Sequence, residues 1–172
     1  MTPATPSGAA ATAGTDYAKP DTASTWSAKQ TFNGSASALA IKLQSALEKV
    51  TVSATAATGT ITFDILTQSV LYYTTNASAN WTVNLRGDGS NTLDSLMATG
   101  ESVTVVFLVT QGSPAFYNTT VQVDGTAVGV TTKWQGSAPT TGTPNAVDAY
   151  TYAIVKTGSA TFTVFASKSA FV

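Results

Sequence analysis

From residue 50 onward, apolar side chains recur at every second position: Val50 and Val52, then Ile61, Phe63 and Ile65, then Trp81, Val83 and Leu85, and later Tyr150, Tyr152 and Ile154. Period two is the mark of a strand with one face against a core. The run Val103 to Val109 goes further. Val103, Val105, Phe107 and Val109 share one face, while Val106 and Leu108 make the opposite face apolar too, so it predicts a central strand covered on both sides. Turn-forming clusters at 76–80, 86–91, 124–125, 136–145 and 157–158 separate the runs. Asp124-Gly125 is the strongest hairpin signal, and Leu93, Leu96 and Met97 stand at helical spacing for a turn or two. Together these patterns predict nine or ten strands over residues 50–172, arranged as an antiparallel β-sandwich of jelly-roll-like topology.

Upstream of residue 50 the period changes. Leu39, Leu43, Ala46, Leu47 and Val50 fall on one helical face, with Ser35 or Ser37 placed to cap the start and Lys49 in the last turn, so residues 36–49 are expected to form the one N-terminal helix. Its leucines can cover one side of a sheet or meet the same residues in symmetry mates. Residues 1–35 are Ala, Thr, Pro, Gly and Ser with few large apolar side chains, which reads as an extended arm and linker. Within it Trp26 and Phe32 suit anchors, either on the domain's own core or on a partner chain. Tyr17, Trp26, Phe32, Leu39, Leu43 and Leu47 are therefore the candidate intersubunit contacts.

Composition changes the picture in one respect. Only 10% of the 172 residues are charged, against roughly 25% in an ordinary soluble domain, and the net charge is −1. Thr, Ser, Asn and Gly must meet water instead, which suits a protein held permanently in a larger assembly. The eight Lys and Arg residues are scattered singly, so nucleic acid and anionic membranes are not expected partners. No run is long enough for a membrane helix, and residues 1–8 lack the basic and apolar regions of a signal peptide.

Candidate chemistry is sparse. The chain has no histidine and no cysteine, which removes Ser-His-Asp hydrolysis, thiol nucleophiles and zinc–thiolate sites. The nine carboxylates fall mostly at turns and strand ends, where Asp serves local hydrogen bonding. The loop Asp88 to Asp94 lacks the full calcium-loop pattern, and Arg86-Gly87-Asp88 reads as turn chemistry. Tyr72, Tyr73, Trp81, Tyr117, Trp134, Tyr150 and Tyr152 could stack on sugars, but their place in alternating strands favours core or intersubunit packing. No catalytic, cofactor-binding or metal residue is assigned, and no enzyme activity is expected.

The segment from Gln68 through Gly87, with Leu93 to Gly100, Phe107 to Gly112, Val121 to Gly125, Lys133 to Pro139 and Lys156 to Phe162, resembles a β-rich domain of marine tailed-bacteriophage virion proteins, especially those of cyanophages. The likeness spans roughly residues 50 to 172. Thr25 to Phe32 is similar to the Trp-x-x-x-Gln-Thr-Phe phrases of phage tail-fibre stems. The resemblance implies a non-enzymatic structural protein located in the virion. Its expected partners are copies of itself, as a homotrimer, and the major capsid or tail proteins. The short chain favours a capsid decoration or cement protein; a short tail or head fibre, or a module binding host-surface glycan, is the alternative.

Overall fold

A computed structural model describes Lys29, Thr31, Ile41 and residues 43–172, and the chain falls into two units, 1–46 and 47–172. The named elements all belong to the second unit. They are β1 (Val50–Ala56), β2 (Gly59–Asp64), β3 (Val70–Thr75), β4 (Trp81–Arg86), α1 (Leu93–Leu96), β5 (Ser102–Thr110), β6 (Asn118–Val123), β7 (Val130–Trp134), β8 (Val147–Gly158) and β9 (Thr161–Phe171). They form a six-stranded sheet in the order β1-β3-β5-β8-β9-β7 and a three-stranded sheet in the order β2-β4-β6.

The first six strands alternate between the sheets. Each crosses to the other sheet before the next returns, so sheet neighbours lie two apart in the sequence and run the same way. β1–β3, β3–β5, β2–β4 and β4–β6 are all parallel, as is β7–β9. Only β5–β8 and β8–β9 are antiparallel. The expected antiparallel arrangement is therefore corrected: five of the seven strand pairings are parallel. Hairpin reasoning assumes that successive strands pair, and here the short connections change sheets instead. Asp124 and Gly125 show the difference. Both adopt positive φ, 51° and 83°, and Val123 bridges Thr126, so the turn forms. The chain then departs, and β7 pairs with β9 rather than with β6. Thr157-Gly158 does end one arm of a true hairpin, β8–β9.

One buried core draws on both sheets. Ile61, Phe63, Trp81, Val83, Leu85, Val121 and Val123 from the small sheet join Leu71, Val105, Phe107, Val109, Tyr150, Tyr152, Ile154 and Val164 from the large one. Trp81 meets Phe107 and Tyr150 edge-on at 6.0 and 5.5 Å between centroids, the geometry aromatic quadrupoles favour. β5 lies between β3 and β8 as expected, with Val105, Phe107 and Val109 buried, but the expected cover on both sides is corrected among the described residues: Val106 and Leu108, on the opposite face, are only half-buried.

The N-terminal helix is a further correction over its described part, residues 36–40 and 42 lying outside the described residues. Ile41 and residues 43–49 are not helical, and Leu43 and Leu47 are exposed. A helix of that length is marginal in water unless its apolar face is packed, and these two leucines meet no core. The chain instead runs towards β1, with Ser69 donating its N–H to the Lys49 carbonyl and its hydroxyl to Glu48 Oε2.

Candidate assembly surface and polar cleft

Strand register sorts the large sheet's side chains into two faces. Leu71, Phe107 and Tyr150 align across β3, β5 and β8 on the core side. The alternate rows point away from the core: Val50, Val70, Val106, Thr151 and Ser167 form one, and Val52, Tyr72, Leu108, Ala149 and Ser169 the next. A third row brings Thr104, Ala153 and Phe165 together and reaches Lys133 on β7. From β1 to β9, no Asp, Glu, Lys or Arg lies on this outward face. Val52 is 64% exposed and Phe165 54%, and among the described residues no strand or helix is stacked over them. Among the described residues the strand at the edge beside the face is β1, Val-Thr-Val-Ser-Ala-Thr-Ala, which lacks the Lys, Pro and inward charges that usually blunt an edge.

The small sheet presents the opposite chemistry. Its outward rows are Thr60, Thr82 and Thr120, then Thr62, Asn84 and Gln122, then Asp64 and Arg86. At one end they open into a cleft of about 220 Å³ lined by Asn84, Arg86, Asp88, Asn91, Thr92 and Asp124 among others. Asp88 is held by its own loop, accepting from the Ser90 and Asn91 N–H groups at 2.7 and 2.8 Å, which draws its pKa below the usual carboxylate value. Asp124 accepts from Leu93 N and Asp94 N at 2.6 and 2.9 Å, holding the start of α1, while Thr92 caps it by accepting from Ser95 N. Arg86 Nε donates to Asp64 at 2.7 Å, and that bond raises the guanidinium's pKa. The Asp88 carboxylate is thus engaged by its own loop, as the turn-chemistry reading expects, whereas the Asp94 carboxylate is taken by Lys156 Nζ and Ala160 N from the distant β8–β9 region. Among the described residues no cluster of three or more Asp, Glu, His or Cys side chains could hold a metal ion.

One group in the cleft is left open. Asn84 is buried, its Oδ1 accepts from Gly125 N at 2.7 Å, and so its Nδ2 is oriented as a donor with no partner among the described residues.

Of the candidate contact residues, Tyr17, Trp26, Phe32 and Leu39 lie outside the described residues, and Leu43 and Leu47 are solvent-exposed. The aromatic side chains follow the packing reading. Trp81, Tyr150 and Tyr152 are buried, and Trp134 packs edge-on against both tyrosines at 6.3 Å. Burial pushes the phenol pKa values of Tyr150 and Tyr152 well above normal, so both stay neutral. The outward face was half legible in the sequence, through Val106 and Leu108. Val70, Tyr72 and Phe165 were missed, because only pairing register shows that they share it. The signal available was the uncharged company they keep: Thr, Ser and Ala where a solvated strand would carry Lys or Glu.

The chain matches no protein-family model, and neither a similar curated protein nor a similar solved structure was found, so its surfaces are read from their chemistry.

Proposed function

We propose that this chain is a non-enzymatic structural protein of a tailed-bacteriophage virion, a β-sandwich that decorates or cements the capsid. The observation that carries the reading is the uncharged outward face of the large sheet with the β1 edge, uncharged in sequence, beside it. A face of Val, Leu, Tyr, Ala and Thr several strands wide is costly to leave in water and suits a permanent contact. The sequence resemblance over residues 50 to 172 supports the same assignment. In this reading the sandwich is a wound parallel coil, β1 to β6, closed by the β8–β9 hairpin. Crosslinking mass spectrometry on purified virions tests it: links from Lys133 or Lys168 to a capsid protein are expected, and absence of the chain from the particles would sink it.

The cleft favours one alternative, a short fibre or host-surface module that binds glycan. Asn84 Nδ2 and the Arg86 guanidinium face a small polar space as donors, with Asp88 and Asp124 beside them as acceptors. A sugar hydroxyl both accepts and donates, which matches that mixed set. Binding on a host-glycan array that is lost in Arg86→Ala would support this reading, and no binding would remove it.

A further inference from the structure

We infer that the outward face of the six-stranded sheet is a homotypic interface, occupied by a second copy of this chain. The inference rests on reading that face as an assembly surface, and it names the partner.

Three observations select the occupant. The first is size. Five strands at about 4.8 Å spacing and about six to nine residues at about 3.3 Å give a face roughly 24 Å by 20–30 Å, or about 500–700 Å² in plan for each partner. Two copies then bury about 1,000–1,400 Å² in plan, and side-chain relief adds to that, so the face alone clears the roughly 1,000 Å² that a specific protein interface needs. The second is charge. A heterologous partner is ordinarily chosen by complementary charge, whereas β1, β3, β5, β8 and β9 offer none on this side. An uncharged face is complementary to itself, which is what an isologous contact requires. The third is the edge. β1 continues the face, with Val50 and Val52 outward, so a mate stacked on the face covers the apolar side chains of the edge strand as well.

Side-chain relief fits the same occupant. Across the two central rows bulk falls from Val70, Tyr72, Val106 and Leu108 to Ala149, Thr151, Ser167 and Ser169. In these two rows one half is raised and the other lowered, so a mate turned through half a revolution about the strand direction sets its raised strands over the lowered ones.

The test uses the full chain, which contains no cysteine, so a single one can be introduced without interference. Val52→Cys and Thr62→Cys both sit at positions exposed in the single subunit, on the outward faces of the large and small sheets respectively. Mass photometry and analytical ultracentrifugation of the wild type should show an oligomer at micromolar concentration. Maleimide labelling should be at least tenfold slower at Val52→Cys than at Thr62→Cys, and dilution below the dissociation range should abolish the difference. Leu108→Glu should shift the protein to monomer while circular dichroism shows the strand signal retained; should that variant fail to fold, the labelling pair still decides.

A monomeric wild type with Val52→Cys freely labelled overturns the inference and points to a different virion protein as occupant. A monomer with Val52→Cys protected also overturns it, seating a segment of the same chain on the face. The virion assignment is judged separately: a monomer present in particles refutes only this inference, and an oligomer absent from particles refutes only the virion assignment.

Discussion

Lys156 Nζ lies 2.8 Å from Asp94 Oδ1 and also donates to the main-chain carbonyls of Asp94 and Met97 at 2.6 and 2.9 Å. One buried ammonium on β8 therefore ties down the segment around α1, while Asp94 Oδ1 also accepts from Ala160 N at 2.7 Å in the β8–β9 turn. Replacing the lysine should cost more than replacing its partner. Lys156→Met leaves two carbonyls without their donor, whereas Asp94→Asn keeps an acceptor for Ala160 N. Urea denaturation of the two variants should order them that way, and equal midpoints would show that the carbonyl contacts contribute little.

Acid should weaken the same corner. Asp94 is held below its ordinary pKa first by the Lys156 bond and then by Ala160 N, and Asp88 by Ser90 N and Asn91 N. Both folded values lie below the unfolded one. The stability they add is therefore complete above about pH 4, where an unfolded Asp is ionised, and is lost as pH falls through the lowered values. Thermal melts between pH 7 and 2 should show the drop, and Asp94→Asn combined with Asp88→Asn should flatten it.

Asp148 is fully buried and accepts from Lys168 Nζ at 3.2 Å, Gln111 Nε2 at 3.1 Å and Thr143 N at 3.0 Å. Asp148→Ala strands a backbone donor and an ammonium that water only partly reaches, so it should destabilise by about 2–4 kcal/mol. Lys168→Met, which leaves Gln111 and Thr143 on the carboxylate, should cost less. A double-mutant cycle in guanidinium measures the coupling.

Gly129 takes φ +78°, and a Cβ there would run into the carbonyl of Ala160, while its own carbonyl accepts from Phe162 N at 2.8 Å. Gly129→Ala should cost about 2 kcal/mol or more, since it combines left-handed strain with a backbone clash. Gly136, also at positive φ but with nothing near its Cβ position, is the control: Gly136→Ala meets the strain without the clash and should lose about half as much.

The strands were legible because their signal is local. Val103 to Val109 gave β5 nearly to its ends, and Leu93, Leu96 and Met97 marked α1. Pairing was not legible, because Asp124-Gly125 makes the same turn whether the chain folds back or moves to another sheet. Leu39, Leu43 and Leu47 carry helical spacing, yet Leu43 and Leu47 stand in the open, and a stripe of leucines specifies a helix only where something receives it. The cleft was invisible for a related reason. Asn84, Asp88 and Asp124 are brought together by β4 and the turn after β6, and no spacing in the sequence announces it.

The strand order also sets a schedule for synthesis. β5 has β8 as its second neighbour, and β9 must enter between β8 and β7, so the large sheet is complete only once Phe171 is available. About 60 residues separate the end of β5 from that point, which at about 5–20 residues per second is roughly 3–12 s of translation. Throughout that interval β5 has an open side and the chain offers an apolar, uncharged surface to whatever lies nearby. When many copies emerge together, each nascent chain is exposed to premature pairing with its neighbours, and the yield of folded protein is set by how quickly β8 and β9 close the sheet.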